Sequence, residues 1–140
     1  MLQMFPLLAV SLVVYAVLTL TNTAVGGEAW HQVQIVSLPL ASEDSWSIHG
    51  GDIFLVGSMG LLFVELIRAT QTNTSSIANH GLSFMLFLAC LLVFIFVTGF
   101  GNSTFFIYMS MTFLDSMAGM VVTTVTARRD LNVADASAAR

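Results

Sequence analysis

The chain contains no lysine, a single cysteine, two prolines and only 9% charged residues in 140 positions. Each scarcity excludes something. All positive side-chain charge sits on Arg68, Arg128, Arg129 and Arg140, too little to neutralise a phosphate backbone, so nucleic acid is not an expected partner. The lone Cys90 lies in an apolar run and has no second cysteine for an internal disulfide. Neither a CxxC pair nor a glycine-rich phosphate loop occurs, and no internal repeat is visible. A soluble domain carries about 25% charged residues. Here 56% of residues are hydrophobic and the mean hydropathy is +0.88, the composition of an integral membrane protein.

Four apolar runs carry that hydropathy. The expected fold is all-α, with four transmembrane helices at about residues 4–21, 52–70, 80–99 and 104–127 in a single domain. The first run could be read as a signal peptide, but it lacks a basic start and a small-x-small cleavage site, so a retained helix is preferred. Pro6 falls in its first turn, where a missing N–H does no harm. Residues 22–51 form the longest loop, polar and without lysine or arginine. Its WHQVQIVSL piece alternates polar and apolar residues, as a short extended segment or one lying along the interface would. Trp30 and Trp46 suit a membrane–water boundary. After Asp130 the tail is polar, and little order is expected of it.

Arginine placement predicts the orientation. With four spans, both termini and the loop after Arg68 share one side, and that side holds every arginine. The positive-inside rule then makes both termini cytoplasmic in a bacterial inner membrane, with Arg128 and Arg129 as topology anchors and loop 22–51 periplasmic.

The fourth run holds the sharpest local feature. At 3.6 residues per turn, Tyr108, Thr112, Asp115, Ser116, Gly119, Thr123 and Thr126 lie on one helix face, and the other face is Met, Phe, Leu and Val. An ionisable group inside a membrane is a functional candidate. Counting back from Arg128 puts Asp115 roughly 20 Å from the cytoplasmic interface, where a carboxylic acid is expected to be neutral. Glu65, one turn above Arg68, should then lie ~15 Å below it, out of contact. Tyr15, Ser58 and Cys90 are left as partners at that depth, which favours a structural hydrogen bond over a proton or cation site. Glu65 and Arg68 read as an i, i+3 ion pair. Gly57 and Ser58, like Ser116 and Gly119, read as close-packing positions.

Cofactor signals are weak. His31 and His49 lie in the outer loop and His80 at the entry to the third helix, so no facing pair is placed for a haem. His49, close to Asp52, and His80 are the weak metal candidates. No metal or other cofactor is expected on the chain, and lipid or pigment contact is compatible with its surface. Asn73-Thr74-Ser75 and Asn102-Ser103-Thr104 match the glycosylation tripeptide, a pattern common by chance.

The blocks WSIHGGDIFLVGSMGLLFVELIRAT and STFFIYMSMTFLDSMAGMVVTTVTARRD resemble a group of small four-helix inner-membrane proteins of proteobacteria. The resemblance covers the last two-thirds of the chain. It rests on Gly51-Asp52, on Glu65 with Arg68, and on Asp115 with Gly119 and Ala127-Arg128-Arg129-Asp130. It implies the fold and topology and brings no activity with it. No nucleophile–base pair or metal cluster is visible, so an enzyme is not expected. The expected function is a non-catalytic accessory or assembly subunit of a larger inner-membrane complex, respiratory or photosynthetic. Its partners would be other integral membrane proteins and the lipid bilayer. A small proton- or ion-coupled transporter or channel oligomer using Asp115 is the first alternative, and a pigment- or haem-contacting subunit the second.

Overall fold

A computed structural model describes residues 6–21, 28–69 and 76–138, without the side chains of 76–80, 122, 123 and 125–138. The chain is mostly helical. Helix α1 spans Leu8–Leu20, strands β1 and β2 span Gln34–Pro39 and Ser45–His49, and helices α2, α3 and α4 span Gly50–Ala69, Ser76–Phe96 and Ser103–Ala138. Gly50–Ala69 and the Ser103–Val121 part of α4 are long and apolar enough to cross a membrane, and α1 and Gly81–Phe96 are shorter apolar helices.

The expected all-α architecture needs one correction. The outer loop contains an antiparallel hairpin in which Val36 pairs with Ile48, Ser37 with Ser47 and Leu38 with Trp46. Its turn closes through the Leu40 N–H on Asp44 O at 2.9 Å and the Glu43 N–H on Leu40 O at 3.1 Å. Glu43 takes the left-handed conformation there, with φ 68°. Strand β2 runs straight into α2, and the junction is held by the Gly50 N–H on Val33 O and the Gly51 N–H on His31 O. Asp52, in the first turn of α2, accepts the His49 N–H at 2.8 Å, the reach-back half of a capping box.

Helices α2 and α4 start together at the hairpin end and run side by side. A Cβ on Gly51 would stand 2.8 Å from Thr104 Oγ1. One turn further, the Phe54 and Tyr108 rings meet edge-on at 5.5 Å. The other packed helix pairs are α3 with α4 and α1 with α2. Between α3 and α4, residues 97–102 turn tightly, with Gly99 at φ +90°, a conformation that suits a residue without a side chain. Asn102 caps α4: its Oδ1 accepts the Phe105 N–H at 3.0 Å.

An aromatic core fills the hairpin end. Tyr15 is fully buried, and its ring lies 5.0 Å from Trp30, 5.1 Å from Phe54, 5.5 Å from Phe100 and 4.8 Å from Phe105. Its hydroxyl exchanges hydrogen bonds with the Asn102 amide at 3.0 and 2.8 Å. One side chain thus joins α1 to α2, to the α3–α4 turn and to the α4 cap.

Two helix boundaries differ from expectation. The described first helix begins at Leu8 rather than near residue 4, and at 13 residues it is short of the ~20 that a perpendicular span needs. The fourth helix continues through Arg128 and Arg129 to Ala138, because residues 127–138 hold neither glycine nor proline to end it.

Candidate functional site: a buried polar seam

Polar side chains collect where α1, α2, α3 and α4 meet, away from the hairpin. Glu65, Ser58, Ser83, Thr112, Asp115 and Ser116 are all buried, as are Tyr108 and Cys90. Those on α4 come from the face that the sequence pattern singles out, so its Tyr108, Thr112, Asp115 and Ser116 are turned into the chain itself.

Helix α1 supplies the unexpected part. Its N-cap position is Leu7, which offers no side-chain acceptor for the free N–H groups of the first turn. Glu65 of α2 takes that role. Its Oε2 accepts the Leu8 N–H at 3.2 Å in a buried setting. Tyr108 of α4 completes the grip, donating its hydroxyl to Leu8 O at 2.6 Å. The first turn of α1 is therefore held on its N–H side by one helix and on its carbonyl side by another. The helix dipole adds to this, because the N-terminus carries about half a positive charge facing the Glu65 carboxyl group.

The expected Glu65–Arg68 ion pair is not formed. An acid–base contact within 4 Å joins His49 Nδ1 to Asp52 Oδ2, at 3.4 Å, and none joins Glu65 to Arg68. Glu65 is 3% exposed and turned into the bundle, whereas Arg68 is exposed, so the two point apart despite their spacing. Arg128 and Arg129 lie on α4 with side chains outside the described residues.

The two carboxyl groups also differ less in depth than the arginine count predicts. Counting from Arg128 assumed that α2 and α4 end in one plane, but they are aligned at their starts. Glu65 is 14 residues past Gly51 and Asp115 is 11 past Thr104, a difference of three residues or ~4.5 Å along the axis. Both side chains lean toward the helix N-termini, and the longer Glu reaches further, which narrows the gap.

Of the partners expected for Asp115, Tyr15 is bonded to Asn102 at the hairpin end instead. Cys90 is fully buried and neighbours Thr112 and Tyr108, on the same stretch of α4. Thr112 also donates to Met109 O at 2.7 Å. Ser58 Oγ and Ser116 Oγ are buried and have no hydrogen-bond partner. Gly119 is buried on the same helix, and Gly57 is exposed with no neighbouring side chain within 4 Å of a built Cβ. The pairing of Gly57 with Ser58 as one packing surface thus splits between the outside and the inside of the bundle.

A second polar place lies at the hairpin end, where His31, His49, Asp52, Asn102 and Thr104 border a cleft of about 410 Å³. Burial pushes the His31 imidazole below its ordinary range. No group of three His, Cys, Asp or Glu side chains among the described residues is placed to share a metal ion. His80 lies on α3 with its side chain outside the described residues.

Sequence reading missed Asn102 and the capping role of Glu65. The first had a signal, since Asn-Ser-Thr just before an apolar run is an N-cap pattern as much as a glycosylation one. The second had none, because a cap supplied across 57 residues leaves no local trace. No family model, curated protein or solved structure matches the chain.

Proposed function

We propose that the chain is a multi-pass protein of a bacterial inner membrane and serves as a non-catalytic accessory or assembly subunit of a larger membrane complex. All four helices then lie across the bilayer, with the hairpin periplasmic and both termini on the arginine-bearing, cytoplasmic side. The topology agrees with the resemblance to small four-helix inner-membrane proteins of proteobacteria.

One observation supports the subunit reading above the others. On α2 the outward face carries Gly57 and Gly60 amid exposed Ile53, Val56 and Phe63, and a Cβ built on either glycine meets nothing within 4 Å. Gly60 has no work inside the bundle. A shallow, small-residue strip flanked by large apolar side chains lets a second helix approach closely, and close approach is what holds helices together in lipid. Tyr108 and Thr112 of α4 are bonded within the chain and Asp115 and Ser116 are buried in it, which leaves apolar shape as the means of recognition.

Extraction of the native membrane in a mild detergent, followed by mass analysis, tests this. The chain is expected to migrate with other integral membrane proteins and to lose them when Gly57 or Gly60 becomes Ile. A wild-type chain that migrates alone as a monomer overturns the reading. An absorbance spectrum of the same fraction reports any pigment or haem carried by the complex.

A further inference from the structure

We propose that the hairpin end binds one phospholipid with a primary-amine head, its ammonium at Asp52 and an acyl chain against the last turn of α3. Binding of this kind rests on the membrane reading of the chain and needs no partner subunit.

Two clefts meet at that end. One, of about 410 Å³, is lined by polar residues only, among them His31, His49, Asp52, Ser103 and Thr104. The other, of about 500 Å³, is bordered by Phe94, Ile95, Phe96 and Val97, where α3 finishes. His31, Gln32 and Asn102 line both, so the two are neighbours. Each volume falls in the range of about 300–1,000 Å³ typical of small-molecule sites. A polar compartment beside an apolar one fits a ligand with a head and a chain. Ile95 and Phe96 are 59% and 76% exposed, so the apolar cleft opens onto the outer face of α3, where lipid chains would lie.

Charge and hydrogen bonding select the head. Among the described residues lining the two clefts, Asp52 is the one acid, and there is no lysine or arginine. Its side chain is half exposed. One oxygen, Oδ2, takes the His49 N–H at 2.8 Å. A carboxylate has about four acceptor sites, so that cap leaves room for a further donor. Basic side chains stand far off. Arg68 lies 16 residues past Asp52 on α2, roughly 24 Å along the axis, and Arg128 lies 24 residues past Thr104 on α4. Residues 22–27, which lead into the hairpin end, carry no ionisable side chain, and Glu28 after them adds a negative one. The clefts therefore favour a cationic group over an anionic head. A primary ammonium offers three N–H donors to the carboxylate, whereas a quaternary one offers none. The Gln32 amide and the Ser103 and Thr104 hydroxyls are donors for the phosphate oxygens of the same head.

Native mass spectrometry of the full chain tests the proposal, in detergent with equal amounts of phosphatidylethanolamine, phosphatidylcholine and phosphatidylglycerol. At pH 8 free imidazoles are largely uncharged, which leaves the carboxylate to decide. The wild type is expected to retain one phosphatidylethanolamine over either competitor by about tenfold, the worth of one hydrogen bond to a charged group. Asp52→Asn keeps a carbonyl oxygen for the His49 N–H and should level the three lipids. Asp52→Glu keeps the charge and should keep the preference. Phe96→Ser, at an exposed position, should lower retention of all three alike. Free ethanolamine at the same concentration should displace nothing. A wild type that retains no lipid, or does not prefer phosphatidylethanolamine, overturns the proposal without recourse to any variant. A preference that survives Asp52→Asn overturns it as well, and displacement by free ethanolamine overturns the role of the chain. A chain that migrates alone with its lipid removes the subunit reading and leaves this site standing. Recovery without detergent as a soluble protein removes the membrane reading and the lipid site with it.

Discussion

The Glu65 carboxyl group caps the first turn of α1 through the Leu8 backbone N–H at 3.2 Å, although 57 residues separate them. An N-terminal cap is ordinarily local, a side chain just ahead of its own helix. Here the acceptor belongs to another helix, so the cap is also a tertiary contact. Helix α1 is too short to be stable by itself in water, and its seating depends on that contact together with the aromatic core.

Glu65→Ala removes the acceptor and leaves buried N–H groups unsatisfied. A loss of about 1–3 kcal/mol is expected. Glu65→Gln keeps a carbonyl acceptor and should cost less. Thermal unfolding in one detergent, with the two variants side by side, checks the order. Equal losses would show that the charge, and not the hydrogen bond, seats α1.

Tyr15 separates hydrogen bonding from packing. Tyr15→Phe deletes the two bonds to Asn102, at 3.0 and 2.8 Å, and keeps the rings. The expected cost is about 1 kcal/mol, with part of it from the Asn102 amide left behind. Tyr15→Ala also empties the centre of the ring cluster and should cost about 3–5 kcal/mol. Chemical or thermal unfolding gives both values.

Glycines divide into two kinds. A Cβ on Gly50 would lie 2.4 Å from the Trp30 carbonyl oxygen, so Gly50→Ala must push the backbone apart at the hairpin junction. It should destabilise the isolated chain. Gly60→Ala meets open space, and helix propensity then favours it by up to ~1 kcal/mol. The measurement is the melting temperature of each purified variant.

Acidification should loosen the hairpin end through His31. Its folded-state pKa is lowered by burial, so below the unfolded value of 6.5 the unfolded chain binds the extra proton more readily. Stability from this group is present above pH 6.5 and declines as pH falls through that value. His31→Gln should flatten this part of the profile. Unfolding midpoints measured across the range, for wild type and variant, settle it.

How far the structure is readable from sequence follows the range of the forces involved. Helices α2 and α3 begin and end within four residues of their apolar runs, because hydropathy and length decide them. The polar face of α4 is legible for the same reason, since 3.6-residue periodicity puts Tyr108, Thr112 and Asp115 together. Strand β2 was not foreseen. SWSIH is short, and its pairing partner is identified only when backbone hydrogen bonds close the turn. The Glu65–Asp115 relation depended on which ends of two helices are level, and the arginines proved a poor mark. The contact of Gly51 with Thr104 is the better one, but it involves two residues 53 positions apart that nothing in the sequence links.

The two tryptophans sit in opposite surroundings. Trp30 gives its indole N–H to Thr19 near the end of α1 at 3.1 Å, with Tyr15 and Phe54 against its ring, while Trp46 on β2 is 54% exposed. Unseating α1 strips Trp30 of that bond and of the Tyr15 ring, yet leaves Trp46 as it was. The fold thus carries its own optical gauge: fluorescence of a Trp46→Phe variant reports, from a single native side chain, whether the first helix is in place.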